Sequence, residues 1–188
     1  MILPCPGRRW AVGLLAAVFV SGACAQEICE SCHGPAGNSP NPAVPSIAAQ
    51  PKRFVENQLV LIREGMRPSP QMQPVVRDMK DAEIVRLAAH FAGQKAKPME
   101  TSARDPALAA IGMERAKVLR CGVCHRPDFS GQNQVPRLAG QREAYLAAEM
   151  RAYRDDKRPG GDTIMAAALY GVSDRHIEAR AHYLARLR

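Results

Sequence analysis

Apolar residues recur at helical spacing along several stretches of the chain. Ile84, Leu87, Ala88 and Phe91 fall on one face, as do Ile177, Ala181 and Leu184, and this period predicts two amphipathic helices. Asp81 in the first, and Ser173 or Asp174 in the second, stand where N-caps are expected. Two further helices are predicted over residues 51–64 and 142–154, carrying Phe54, Leu59 and Ile62 in one and Tyr145, Met150 and Tyr153 in the other. A fifth is predicted over residues 106–119.

The N-terminal pattern is different. Arg8 and Arg9 precede an uncharged apolar run from Trp10 to Val20, and Ala23-Cys24-Ala25 follows as a small-x-small site. This is the layout of an export signal, cleaved before Gln26. The run is shorter than the ~20 residues a membrane span needs. Residues 1–25 are therefore expected to leave the mature chain, which would be periplasmic. Membrane association is expected only if the segment is retained. Removing Arg8 and Arg9 lowers the formal charge from +8 to +6, because residues 1–25 hold no acid. No basic run is interleaved with aromatics, so nucleic acid is not an expected partner.

The helices belong to a sequence repeat. Pro45-Ser46-Ile47-Ala48-Ala49-Gln50 corresponds to Pro136-Arg137-Leu138-Ala139-Gly140-Gln141, and Arg67-Pro68 to Arg158-Pro159. Met72 and Met165 come next in each copy, and the segments starting at Met79 and Val172 open the last helices. This duplication divides the chain into residues 26–94 and 106–188, joined by a Lys-, Pro- and Ser-bearing linker over 95–105. Aromatics are only 5% of the sequence. Two small domains with aliphatic cores bury only ~60% of their unfolded surface, so a covalently held cofactor would help to stabilise them.

Four of the six cysteines lie outside the export segment, as the pairs Cys29/Cys32 and Cys121/Cys124, followed by His33 and His125. Each group is C-x-x-C-H, the attachment motif of c-type haem. Two thiols three positions apart can each form a thioether with one vinyl group, and the adjacent histidine is then carried beneath the iron. A lone C-x-x-C is also compatible with a zinc half-site, a thioredoxin-like pair or a disulfide. Zinc needs more ligands at suitable spacing, and a thioredoxin motif needs a βαβ context that the sequence lacks. Two copies with histidine in the same place favour two covalently bound haem c groups.

With these motifs, the Pro-x-[Ile/Leu] segments and the methionines ahead of each last helix, the sequence resembles the dihaem cytochrome c4 family over nearly all of residues 26–188. The resemblance implies an all-α fold of two tandem class I cytochrome c domains, each wrapped around its haem. It implies His33 and Met72 as iron ligands in the first unit, and His125 and Met165 in the second. It also implies that the carbonyls of Pro45 and Pro136 accept a hydrogen bond from those histidines. Met72 and Met165 lie 39 and 40 residues past their histidines. That agreement favours Met72 over Met66 and over Met79, which fits a core position. His90, His176 and His182 sit on the final helices, where surface or interface roles are expected, and Tyr145, Tyr153 and Phe54 are expected near the haem edges.

One departure from the family stands out. After cleavage only Gln26, Glu27 and Ile28 precede Cys29, so the N-terminal helix of the first unit is expected to be missing unless the export segment stands in for it.

A thioether ligand favours ferrous iron, and two axial ligands leave no open position. The function expected is therefore single-electron transfer without catalysis of its own. The donor would be a dehydrogenase or a quinol-oxidising complex and the acceptor an oxidase. An alternative is an electron-transfer subunit bound to a dehydrogenase, as in flavocytochromes. A peroxidase-type enzyme would need a vacant or displaceable ligand.

Overall fold

The computed structural model describes residues 21–97 and 105–188. The basic and apolar parts of the expected export segment, and linker residues 98–104, lie outside them. Among the described residues the regular structure is helical, with a single isolated bridge between Gln132 and Val135. No helix among these residues is long and apolar enough to cross a membrane.

The first unit contains α1 (Ser21–His33), a short 3-10 turn (Pro35–Gly37), α2 (Lys52–Arg63), α3 (Gln73–Val76) and α4 (Asp81–Ala92). The second contains α5 (Pro106–Val118), α6 (Cys121–His125), α7 (Glu143–Arg154), α8 (Thr163–Leu169) and α9 (Asp174–Ala185). The two predicted final helices are α4 and α9, and the other three predicted helices correspond to α2, α5 and α7.

Local chemistry explains the starts. The Asp105 side chain accepts from the N–H groups of Ala107 and Leu108, and Pro106 occupies the first turn, where a missing N–H costs nothing. Ser173 caps α9 by accepting from the His176 N–H. The expectation for α4 needs correcting: Lys80 holds the cap position without a side-chain bond, and Asp81 is the first helical residue. Its carboxylate is engaged by Arg63 at 2.7 Å rather than by the backbone.

Helix α1 begins at Ser21 and runs without a break into the first C-x-x-C-H group. Residues ahead of the motif, some of them from the expected export segment, thus supply a helix, as in the alternative where that segment stands in for it. Ala25 is buried against Leu87 and Phe91 of α4, and Cys29, Ile47 and Met79 pack around them. This contact explains why the helix extends so far back: its inner face covers apolar residues that α4 would otherwise leave in water.

The second unit has the broader core. Phe129, Leu146, Met150, Leu169, Ile177, Ala181 and Leu184 form one buried cluster, joined by Met165, Val172 and Leu187 at its margin. There α9 is packed against both α5 and α7, while in the first unit α2 packs on α4. Ile84, Leu87, Phe91 and Ile177 are essentially inaccessible, and each such side chain contributes ~1.5–3 kcal/mol of burial.

The two units meet through polar groups at equivalent positions. The Gln50 side chain donates to the Arg137 carbonyl at 3.0 Å and accepts from the Arg137 N–H at 3.0 Å. The Gln141 side chain donates to the Ser46 carbonyl and accepts from the Ser46 N–H, both at 2.8 Å. Nearby, Arg67 and Arg158 each bond to both Gln58 and Glu149. Gly160 takes a positive φ of 69° and approaches the Met66 carbonyl so closely that a Cβ would lie 2.9 Å from its oxygen.

Candidate functional site

Each C-x-x-C-H group sits at the end of a helix, reached by two different routes. In the first unit Cys29, Cys32 and His33 form the last turns of α1. In the second, α5 ends at Val118 with Leu119 as its cap, Arg120 adopts a left-handed conformation, and a separate short helix α6 carries Cys121, Cys124 and His125. The outcome is the same. Cys29 and Cys121 are half-buried, Cys32 and Cys124 are exposed, and none of the four is in a disulfide. Burial pushes the Cys29 thiol up to about 11. Burial also raises the Cys121 thiol, against an opposing pull from Arg180.

The histidines are held alike. The His33 Nδ1–H donates to the Pro45 carbonyl at 2.8 Å, and the His125 Nδ1–H to the Pro136 carbonyl at 2.9 Å. Both rings are nearly inaccessible, at 7% and 6% exposure. Burial holds both imidazoles below the usual histidine range, and the carbonyl bond opposes it only in part. Each ring is therefore neutral, with its proton fixed on Nδ1 and the Nε2 lone pair directed away from that bond.

The loops that deliver the proline carbonyls are fixed by matching backbone bonds. The Gly37 carbonyl accepts from Ile47 and Ala48, and the Phe129 carbonyl accepts from Leu138 and Ala139. Gly34, directly after the first motif, has a φ of 77°, and a Cβ there would lie 2.2 Å from the Asn38 carbonyl oxygen. Only glycine fits that turn.

Met72 is partly buried at the cap position of α3. Met165 is partly buried in the first turn of α8 and packs on the second core. Met79 packs on the first core, and Met66 is 48% exposed. One other expectation changes. His182 is buried rather than superficial: its Nε2 accepts from the Asp105 N–H at 3.1 Å and its Nδ1 lies 3.1 Å from Glu143. It ties the start of α5 to α7 and α9. Tyr145 and Tyr153 bond to Arg67 and Arg158 where the units meet.

These residues fit a covalent haem. Paired cysteines outside any disulfide lie beside a neutral histidine whose Nδ1 is already engaged, and among the described residues no cluster of three or more His, Cys, Asp or Glu gathers as a zinc site would need. Helices, thiol pairs and carbonyl-held histidines, present twice, define a c-type cytochrome of the class I kind.

Comparison with known proteins agrees. The cytochrome c family model matches residues 109–187. Cytochrome c4 of Pseudomonas aeruginosa is 32% identical over 168 residues, covering 84% of this chain and 82% of that protein. The crystal structure of reduced recombinant cytochrome c4 from Pseudomonas stutzeri matches with a TM-score of 0.78 at 30% identity, covering 89% of this chain and 99% of that one. A thiosulfate dehydrogenase electron acceptor of Thiomonas intermedia is 30% identical over 168 residues, covering 84% of this chain and 77% of its own. The chain belongs to the cytochrome c4 family. It is an electron-transfer protein rather than an enzyme, carries two covalently bound c haems, and works with redox-protein partners.

Proposed function

We propose that this cytochrome is exported to the periplasm and relays single electrons from a dehydrogenase or quinol-oxidising complex to an oxidase. Cys29 and Cys32 would hold one haem and Cys121 and Cys124 the other. His33 with Met72, and His125 with Met165, would be the axial ligands. Residues 26–94 and 106–188 would form the two haem domains, joined by residues 95–105.

The observation that carries this reading is the matched setting of His33 and His125. Each is buried and neutral, and each is locked in one tautomer by a proline carbonyl. Bound in this way, the iron supplies reversible one-electron chemistry. The protein's part is to keep the imidazole orientation constant, so that little rearranges when the charge changes. The partly buried Met72 and Met165 would supply the remaining ligands and keep oxygen and peroxide away.

The test is haem content with visible and near-infrared spectra of the holoprotein, with and without carbon monoxide. Two haems per chain, a thioether-to-ferric charge-transfer band and no carbon monoxide binding are expected. Met72→Ala and Met165→Ala should each remove about half of that band. If neither variant changes it, the ligand assignment fails. The intact mass also reports cleavage after Ala25, which would take that residue out of its contact with Leu87 and Phe91.

A second reading is an acceptor subunit dedicated to one dehydrogenase, favoured by the likeness to the thiosulfate dehydrogenase electron acceptor. Such a subunit would co-purify stoichiometrically with its enzyme, whereas a free carrier would bind its partners in a salt-sensitive way.

A further inference from the structure

The bonds between the units reach the two histidines in a specific, crossed manner. The Pro45 carbonyl and the Ser46 N–H are opposite ends of one peptide group. The carbonyl accepts from His33 and the N–H donates to Gln141 of the second unit. Likewise the Pro136 carbonyl accepts from His125, while the Arg137 N–H on the same peptide group donates to Gln50 of the first unit. A peptide group is planar and rigid, so fixing its N–H fixes the direction of its carbonyl.

Each glutamine also donates to the next carbonyl along, that of Ser46 or Arg137. Both amide ends of each side chain are thereby used, and Gln50 and Gln141 are each only 5% exposed. A side chain this buried, bonded at both ends to one residue of the opposite unit, fixes position far more tightly than a surface contact would.

We infer that Gln50 and Gln141 are crossed positioning residues: Gln141 of the second unit orients the carbonyl that holds His33, and Gln50 of the first unit orients the carbonyl that holds His125. The inference rests on the reading of these histidines as iron ligands. Its consequence is that each haem is tuned partly by the other unit. A firm Nδ1–H bond makes the imidazole a stronger donor to iron and favours the ferric state. Loosening the carbonyl weakens that effect and raises the reduction potential. The same peptide groups give a direct bonded route by which a change at one histidine reaches the opposite unit.

The test uses the dihaem holoprotein with Gln141→Met and Gln50→Met, which keep side-chain length and remove both bonds. Potentials would be resolved haem by haem by spectroelectrochemical titration with nuclear magnetic resonance of the ferric form. Gln141→Met should raise the potential of the first-unit haem and quicken exchange of the His33 Nδ1–H about tenfold, the equivalent of one ordinary hydrogen bond. Gln50→Met should do the same to the second-unit haem and His125. Gln141→Leu also removes both bonds, so it gives a second variant with the same crossed signature if the methionine variant does not accumulate.

Equal shifts of both haems, or a shift in the haem of the mutated unit alone, would overturn the crossed assignment. The wild-type spectrum checks the underlying reading separately. His33 and His125 ring protons should show large paramagnetic shifts, and their absence would overturn the ligand assignment before any variant is considered.

Discussion

Gly112 of α5 meets the carbonyl of Ala179 on α9 so closely that a Cβ built on it would lie 2.0 Å from the oxygen and 2.7 Å from the Tyr183 Cβ. In an isolated helix alanine would be preferred over glycine by about 1 kcal/mol. Here the missing side chain lets two backbones approach. Gly112→Ala is expected to lose about 2 kcal/mol or more by overpacking, read as a lower denaturant midpoint. Gly93→Ala is the control, since a Cβ there meets nothing nearer than 3.6 Å, and it should be neutral or mildly stabilising. Equal behaviour of the two variants would contradict the close approach of α5 and α9.

Between the units, one carboxylate serves two cations. Glu149 bonds to both Arg67 and Arg158, whose side chains are only 16% and 7% exposed. Glu149→Gln leaves two buried guanidinium groups without a counter-charge. With Glu149 itself 25% exposed, the expected loss is discounted to about 2 kcal/mol. Gln58 occupies the equivalent position in the first unit and bonds to the same two arginines. Gln58→Glu in the Glu149→Gln background should therefore recover most of the stability, measured by chemical denaturation.

Arg180 lies inside the second core at 2% exposure, and its Nε donates to the His176 carbonyl within its own helix. Burial holds its guanidinium below the usual arginine range, and its charge acts on Cys121. Its counterpart in α4 is Leu87. A cation near the thioether disfavours ferric iron, so Arg180→Leu should lower the potential of the second-unit haem and leave the first unchanged. Stability should hold or rise by about 1 kcal/mol, as when buried charges are replaced by apolar groups. An unchanged potential would mean that the charge does not act at the iron.

Asp174 accepts from Arg151 at 3.0 Å and from Arg154 at 2.8 Å, and these bonds hold its carboxyl below the usual range. A depressed carboxyl stabilises the fold above its unfolded value of about 3.9. That contribution is lost as pH falls through the lower folded value. Asp174→Asn should therefore be less stable than the parent at neutral pH, and the gap should narrow as pH falls through the lowered folded value. Denaturant midpoints at pH 7 and pH 2.5 would show it; a gap that persists in acid would point to a contribution other than charge.

Arg180 also shows where sequence reasoning stopped. Helical spacing picked out Ile177, Ala181 and Leu184 because all three are apolar, and all three are buried. The arginine between them shares that face but carries a charge, so apolar periodicity did not pick it out. The thiol pairs and their histidines were legible because short spacings define them, and the proline carbonyls were legible only through the family resemblance. The roles of Gln50, Gln141 and Glu149 were not: their bonds across the two units join residues 82 to 95 positions apart, and no local pattern records such pairings. His182 was misplaced for a similar reason. Its partners Asp105 and Glu143 come from other helices.

The crossed glutamines have a consequence for descent. An interface in which one position grips a second, and the second's counterpart is gripped in return, is what two identical chains form around a two-fold axis. The contact therefore has the form of a homodimer interface, now joined by a linker that replaces association between separate chains with a local concentration on the order of millimolar. Covalent joining also removes a restriction. In a homodimer every substitution appears twice, whereas here Ser46 faces one glutamine and Arg137 the other, and Gln58 and Glu149 share two arginines unequally. The two halves could become chemically different without losing the surface that holds them together.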